Sequence, residues 1–138
     1  MINNVVLVGR LANDPEMKYS TSGMPITHFR LACDRGTKNE AGEKQTDWLN
    51  IVCFQKTAEL ASQYLDKGSL VGIEGRIQSR TWEGNDGKRN YMVEIVANNL
   101  RFIESRADAE ARRAAAGTQR QAEPEPQEEP ADPFGDDQ

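Results

Sequence analysis

The sequence predicts an all-β fold: a five-stranded Greek-key barrel of the OB type, with one helix between strands three and four and a disordered acidic tail. Three observations support this prediction. Segments that alternate apolar and polar residues, or are rich in β-branched residues, recur up to residue 103; one stretch of helical period interrupts them; and the composition changes abruptly after residue 104. We therefore expect an OB-type barrel domain over 1–104 and a disordered linker with an acidic tail over 105–138.

The first two strands are predicted from their apolar patterns. Residues 4–12 (NVVLVGRLA) are β-branched and Leu-rich and end at a turn-forming Asn-Asp-Pro, which indicates a strand buried on most of both faces. A short extended piece over 16–20 leads to a second strand over 26–33. There Phe29, Leu31 and Cys33 alternate with more polar neighbours, so this strand has one wetter face.

The third strand and the helix follow a polar segment. Residues 34–44 (DRGTKNEAGEK) contain two glycines and are predicted to be a loop, after which alternation resumes over 46–56 (TDWLNIVCFQK). Residues 57–67 change to a helical period, with Thr57 as a plausible N-cap and Gly68 just beyond the C-terminus.

The last strands complete the barrel pattern. Residues 69–82 form a long strand in which Gly72 and Gly75 indicate bulges or bends, and the turn over 83–88 leads to the final strand or two over 90–103. Three strands, a helix and two strands is the order of an OB barrel, whereas a parallel sheet would need a helix at each crossover.

The acidity of the chain belongs to its tail. Residues 1–104 hold 13 Lys and Arg against 13 Asp and Glu, whereas residues 105–138 hold 4 against 9, which accounts for the whole net charge of −5. With Phe134 as its one aromatic residue, the tail buries too little apolar area to offset its ordering entropy, so we expect disorder. Residues 105–117 have high helix propensity, but an isolated helix of that length is marginal in water.

Several classes of protein are disfavoured. Cys33 and Cys53 form no CxxC pair and His28 is the one histidine, so we expect buried reduced thiols and neither a metal nor a cofactor. The N-terminus lacks the pattern of a secretory signal and no apolar run reaches the length of a membrane span, so we expect a cytoplasmic protein. The carboxylates at Asp14, Glu16 and Asp47 form no recognisable nuclease motif, and we expect no enzymatic activity.

Aromatic residues on the predicted outer faces indicate a single-strand groove. Trp48 and Phe54 alternate with Leu49 and Ile51, which suffice for a core, so the two rings are explained by base stacking, and Lys56 continues their face. The following strand and its hairpin repeat this mixture of aromatic and basic residues. The predicted stacking residues are Trp48, Phe54, Trp82 and Tyr91, and the predicted phosphate contacts are Lys56, Arg76, Arg80, Lys88 and Arg89.

Alternatives exist for these side chains. A strand aromatic is often part of a core or of a subunit interface, and Tyr91 is explained equally well by cross-strand packing in its hairpin. Each cation taken singly is more often part of a solvated face than a ligand contact.

The chain resembles the single-stranded DNA-binding proteins of bacteria over essentially all of residues 1–103. The resemblance rests on W-x5-F-x-K (Trp48 to Lys56), on K-G-S-x-V-x-I-E-G over 67–75 and on R-x-W (Arg80 to Trp82). It implies that Trp48, Phe54 and Trp82 stack bases, that Lys56 and Arg80 contact phosphates, and that a homotetramer protects single strands during replication, recombination and repair.

Two departures from the family pattern stand out. Many members carry another aromatic residue in the loop before the third strand, where this chain has none and Thr37 lies near the expected place. Members commonly end in Pro-Phe, whereas here Pro133 and Phe134 precede four further residues. A pocket that grips a terminal carboxylate would meet a peptide bond instead.

The acidic end is predicted to recruit partner proteins. Its lone aromatic residue among acids suits a linear motif that docks in a basic pocket with a hydrophobic hole. The predicted partner-binding residues are Asp132, Pro133, Phe134, Asp136 and Asp137. A solubilising tail, and a tail that lies in the DNA groove until DNA displaces it, are the alternatives.

Two other functions remain open from the sequence. One is an OB-fold RNA binder of the cold-shock kind, which uses the same stacking physics but for which an acidic Pro-Phe tail is unusual. The other is a protein-interaction scaffold whose aromatic face is an oligomer surface. We do not expect strong sequence preference, since stacking does not depend on the hydrogen-bonding groups that distinguish the bases.

Overall fold

The computed structural model of the protein describes residues 1–119. Six strands and two helices lie in this part of the chain. They are β1 (Val5–Leu11), β2 (Glu16–Tyr19), β3 (Pro25–Lys38), β4 (Lys44–Phe54), α1 (Gln55–Tyr64), β5 (Leu70–Glu83), β6 (Arg89–Phe102) and α2 (Arg106–Gln119).

Five of the strands close into a barrel. The strand order is β1-β5-β6-β4-β3-β2, and an additional β1–β3 pairing joins the two sides, with the short β2 attached outside the ring to β3. Neighbouring strands are antiparallel except β4 and β6, which are parallel. The predicted five-stranded OB barrel with a helix between its third and fourth strands is confirmed.

The barrel closes where β1 crosses β3. Arg10 pairs with Ala32 and Leu11 with Leu31, while most of β1 pairs instead with β5. Gly9 permits this close crossing, since an added Cβ would lie 2.5 Å from the carbonyl oxygen of Ala32.

The core fills the interior of the barrel and the space under α1. It is built from the inward residues of the strands together with one face of the helix: Leu11, Phe29, Leu31, Cys33, Ile51, Cys53, Ala58, Ala61, Leu65, Val71, Ile73, Ile95 and Ala97. The buried Thr27 hydroxyl donates to the carbonyl oxygen of Ala58 at 2.8 Å, which ties α1 to β3. Burial raises the pKa of the Cys53 thiol to about 12, and the predicted buried thiols are confirmed.

Two strand predictions need correction. The segment over 34–44 is a two-stranded ribbon rather than a loop, because β3 continues to Lys38 and β4 begins at Lys44. The ribbon contains an irregularity between Asp34 and Lys38, where Gly36 has a positive φ of 79°. The first strand is not buried on both faces: Val6 and Val8 are 67% and 57% exposed, since they lie on the face of β1 that points away from the barrel interior.

The helix begins earlier than predicted. Its N-cap is Phe54 rather than Thr57, without a side-chain hydrogen bond, and its C-cap is Leu65. The chain turns from strand into helix through Gln55, whose φ of 56° lies in the left-handed region. This conformation costs a non-glycine residue about 1–2 kcal/mol. Residue propensities therefore placed the start of the helix wrongly, because a backbone turn and not a capping side chain sets it.

A bulge lies opposite one of the two predicted glycines, Gly75, but it is on β6 rather than on β5, with Asn98 as the extra residue. The register of β5 against β6 shifts between Glu74 and Gly75, and an added Cβ on Gly75 would overlap the carbonyl oxygen of Val96. Beyond this bulge β5 and β6 continue together as a long hairpin, hereafter the arm (residues 76–96). The predicted turn closes its tip, where Gly84 N–H donates to Lys88 at 2.9 Å.

The chain divides into a compact unit over Met1–Glu104 and a second that begins at Ser105. In the second unit Ser105 precedes the first residue of α2, and its hydroxyl oxygen accepts a hydrogen bond from the backbone N–H of Asp108 at 3.1 Å. The rest of the predicted disordered tail, residues 120–138, lies outside the described residues. Neither described helix is long and apolar enough to cross a membrane.

Substitution of Gly75 by Ala should destabilise the barrel. The new methyl group would meet backbone atoms of Val96 and Ala97, which cannot move without breaking the β5–β6 ladder. We expect Gly75→Ala to lower the free energy of unfolding by about 1–3 kcal/mol, measured by urea denaturation. Gly72→Ala is the control, since its methyl group would meet side-chain atoms of Arg101 and Ile103 at 3.3 Å. Equal losses in the two variants would show that the bulge does not require glycine.

Candidate nucleic-acid interface

The outward sides of four neighbouring strands form one continuous surface, hereafter the outer face. Cross-strand pairs link them in order: His28 lies opposite Val52, Val52 opposite Val96, and Val96 opposite Arg76. By strand alternation the outer face contains His28, Arg30, Ala32, Trp48, Asn50, Val52, Phe54, Arg76, Gln78, Arg80, Trp82, Asn90, Met92, Glu94 and Val96.

The middle of the outer face is buried. Val52, Val96 and Glu94 are only 1%, 5% and 2% exposed, although none belongs to the barrel core. Simple alternation would leave Val52 exposed beside Trp48. Instead Val52 is buried on the side of the sheet that points away from the barrel core.

Trp48 is the more exposed tryptophan of this surface, at 55%. The guanidinium carbon of Arg30 lies 5.8 Å from the centre of its ring. The residue opposite Trp48 in the β3–β4 register is the small Ala32, which leaves room for Arg30 to reach diagonally across the strands. Sequence reasoning missed Arg30, because its partner ring is on another strand.

Trp82 has a similar neighbour on its own strand. Arg80 lies two residues away on the same face of β5, with its guanidinium carbon 5.4 Å from the centre of the Trp82 ring. The Nε and Nη2 atoms of Arg80 are inaccessible to solvent, and Trp82 is half-buried. The arrangement is a cation–π pair in which the arginine covers part of the ring.

A buried carboxylate lies among these cations. Glu94 is paired with Gln78 across the arm, and its Oε1 atom accepts a hydrogen bond from Gln78 Nε2 at 2.7 Å. Sequence reasoning did not predict the burial of Glu94, since its position opposite Gln78 depends on the register of the two strands.

Phe54 and Lys56 lie at the end of β4. Phe54 is half-buried at the edge of the outer face, and Lys56 is exposed. The prediction that Lys56 extends the face of the strand is wrong, because Gln55 turns the chain and Lys56 belongs to the first turn of α1. Arg76 is exposed on β5, in the row of Val52 and Val96.

The hairpin residues do not all share the face of Trp82. In the β5–β6 register Tyr91 lies opposite Thr81, and Arg89 opposite Glu83, so both are on the reverse side of the arm. The prediction of one common face is therefore wrong for these two residues. Tyr91 is 68% exposed there, and Lys88 is exposed at the tip.

The β3–β4 ribbon is held by a bidentate ion pair next to Trp48. Arg35 Nε and Nη2 donate to the two oxygens of Asp47 at 3.2 and 2.5 Å, and Arg35 Nη1 donates to Gln45 at 3.0 Å. The hydrogen bond and charge of Arg35 lower the pKa of the Asp47 carboxyl. Thr37 is exposed on this ribbon.

The described residues contain no group of three His, Cys, Asp or Glu side chains that could hold a metal ion. The predicted partner-binding residues Asp132, Pro133, Phe134, Asp136 and Asp137 lie outside the described part of the chain.

Comparison with known proteins gives consistent matches. Residues 2–103 match the sequence model of the single-strand binding protein family. Single-stranded DNA-binding protein 3 of Listeria innocua is 49% identical over 106 residues, covering 77% of this chain and 66% of the relative. A single-stranded DNA-binding protein of Bacillus cereus is 45% identical over 106 residues (77% and 62%), and one of Oceanobacillus iheyensis is 40% identical over 119 residues (86% and 74%). The chain therefore spans slightly less than two thirds of the Listeria and Bacillus relatives.

Proposed function

Because the chain belongs to the single-strand binding protein family, we propose that it binds single-stranded DNA during replication, recombination and repair, without strong sequence preference and without catalysis. The observation that carries this proposal is the outer face. It combines two tryptophans, each with an arginine over its ring, with the exposed cations Arg76 and Lys56 nearby.

The physical basis is stacking together with neutralisation of phosphate charge. Each base stacked on an aromatic side chain is worth roughly 1–3 kcal/mol, and any base presents such a face. Two tryptophans and Phe54 on one surface supply platforms for several bases. Exposed cations beside them neutralise phosphates and release counterions, which makes the affinity depend on salt.

The proposal also includes the residues of the hairpin that lie away from the outer face: Lys88, Arg89 and Tyr91. Since Tyr91 and Arg89 lie on the reverse side of the arm and Lys88 at its tip, DNA reaches them by passing around the arm. An arm wrapped by DNA binds more nucleotides than the outer face alone.

Tryptophan fluorescence tests the function directly, since both tryptophans of the chain lie on the outer face. We expect strong quenching by oligo-dT, little by duplex DNA, and weaker binding at high salt. Trp48→Ala and Trp82→Ala should each weaken oligo-dT binding about 5- to 150-fold, the loss of one stacked base. Tyr19→Ala is the matched control, an aromatic residue 61% exposed on β2 and away from the outer face.

Two results would contradict the proposal. Equal or stronger binding of oligo-rU would indicate an RNA-binding protein instead. Unchanged fluorescence with every nucleic acid, together with loss of self-association in Trp48→Ala, would indicate a protein-interaction scaffold.

We also propose that the functional unit is a homotetramer. This proposal is supported by a partly unpaired edge of β1. Within residues 1–119, β1 pairs with β3 only through Arg10 and Leu11, so the N-terminal half of β1 has no neighbouring strand on that edge. The exposed Val6 and Val8 lie on the same segment. An open strand edge with exposed β-branched residues favours pairing with another copy.

Light scattering with size-exclusion chromatography tests the assembly. We expect a mass of four chains for the unmodified protein and a smaller species for Val8→Asp, because a charge at this position opposes burial against a second copy. Thr21→Asp, in an exposed turn, should leave the mass unchanged. A monomeric mass for the unmodified chain would refute this proposal.

We propose that the tail recruits replication, recombination and repair proteins. We also propose that the protein acts in the cytoplasm, at the DNA of the nucleoid. Residues 123–138 carry seven acidic residues and no basic one around Phe134. A peptide of these residues should capture such proteins from a bacterial lysate, as identified by mass spectrometry. Phe134→Ala should abolish capture while Pro124→Ala retains it; capture that survives Phe134→Ala would show that charge alone acts.

A further inference from the structure

We propose that Arg30 and Arg80 are positioning residues: each guanidinium lies against one tryptophan ring and holds it as a preformed platform, and neither contacts phosphate. This inference rests on the proposed function and deepens it. The sequence predicts a phosphate contact for Arg80, and it gave no role to Arg30.

The backbone of Arg30 is fixed on both sides. Its N–H donates to the side-chain oxygen of Asn13 at 2.9 Å, and its carbonyl oxygen accepts from the N–H of Ala12 at 2.8 Å. The side chain therefore starts from a rigid point at the crossing of β1 and β3. From there it reaches over Trp48, past the small Ala32, with 5.8 Å between its guanidinium carbon and the ring centre.

Arg80 is held still more closely. Its Nε and Nη2 atoms are inaccessible to solvent, and its guanidinium carbon lies 5.4 Å from the centre of the Trp82 ring. These two atoms form one edge of the guanidinium, and a phosphate contact through that edge would require them to reach the solvent, where the backbone of a bound strand lies. Arg76, on the same strand and face, is exposed and meets that requirement.

A buried anion near Arg80 supports the same assignment. Gln78 lies opposite Glu94, and Arg80 opposite Met92, so Arg80 and Glu94 are diagonal neighbours across the arm. Glu94 is 2% exposed. Its charge would repel a phosphate brought to Arg80, whereas an uncharged base ring meets no such repulsion.

Positioning by arginine has a clear consequence for binding. A guanidinium on one side of an indole leaves the other side for a base and restricts the rotamers of the tryptophan before DNA arrives. The tryptophan side chain then loses less conformational entropy when DNA binds. The affinity is therefore higher although the arginine makes no contact with the DNA.

The test separates positioning from phosphate contact by the salt dependence of binding. Arg30→Gln, Arg80→Gln and Arg76→Gln are titrated with oligo-dT at several NaCl concentrations, and the slope of log K against log [NaCl] is measured. Removal of a phosphate contact reduces the magnitude of this slope by about 0.7. We expect that reduction for Arg76→Gln, whereas Arg30→Gln and Arg80→Gln should weaken binding about 2- to 30-fold with an unchanged slope.

A second measurement uses the protein without DNA. Acrylamide quenching is compared for Arg30→Gln in a Trp82→Phe background and for Arg80→Gln in a Trp48→Phe background, so that each reports one ring. Both substitutions should increase quenching, while Arg76→Gln should change it in neither background. Should a glutamine variant fail to fold, Arg→Met replaces it, because methionine keeps a long side chain without the charge.

The outcomes are distinct. A smaller slope for Arg80→Gln or Arg30→Gln, equal to that of Arg76→Gln, would make that arginine a phosphate contact and overturn the inference. Unchanged acrylamide quenching would also overturn it, since the ring would not depend on the arginine. If the unmodified chain bound no oligo-dT, the proposed function would fail, and the acrylamide comparison would still decide whether the arginines hold the rings.

Discussion

Closure of the sheet at the crossing of β1 and β3 is the constraint on which the rest of this structure depends. The crossing requires backbone contact, and Gly9 permits it because any larger residue would meet the carbonyl oxygen of Ala32. Once the ring is closed, one side of every barrel strand is buried around residues such as Leu31 and Ile73. The opposite side is then free to carry a ligand surface without exposing the core.

β5 and β6, the two strands of the arm, contribute both to the core and to the outer face. β5 and β6 are each 14 residues long. After the register shift at Gly75, Ile95 and Val96 of β6 still pair with β4, and the rest of the hairpin extends to its tip. Val71 and Ile73 on one part of β5 fill the core, while Arg80 and Trp82 on the other part face outward. The interface is therefore attached rigidly to the barrel through continuous strands, in contrast to a site built on loops.

Charge is distributed locally on a domain that is neutral as a whole. Residues 1–104 carry equal numbers of acidic and basic residues, so general attraction to a polyanion is weak. Two arginines of the outer face lie over tryptophan rings, and the carboxyl group of Glu94 is buried diagonally across the arm from one of them, Arg80. Under the proposed function, such a surface would take the flat faces of bases at its centre and phosphates at the exposed cations of its margin.

The sequence by itself determined the fold class, the order of strands and helix, the buried thiols and the outward direction of Trp48 and Trp82, because alternation and helical period are local properties of the chain. Only the tertiary structure decided which residues meet across strands: Arg30 with Trp48, Gln78 with Glu94, and Tyr91 on the reverse side of the arm. These pairings depend on strand register, and the place of Lys56 depends on the left-handed turn at Gln55. A one-residue shift moves a side chain to the other face, and local sequence carries no record of which strand lies alongside.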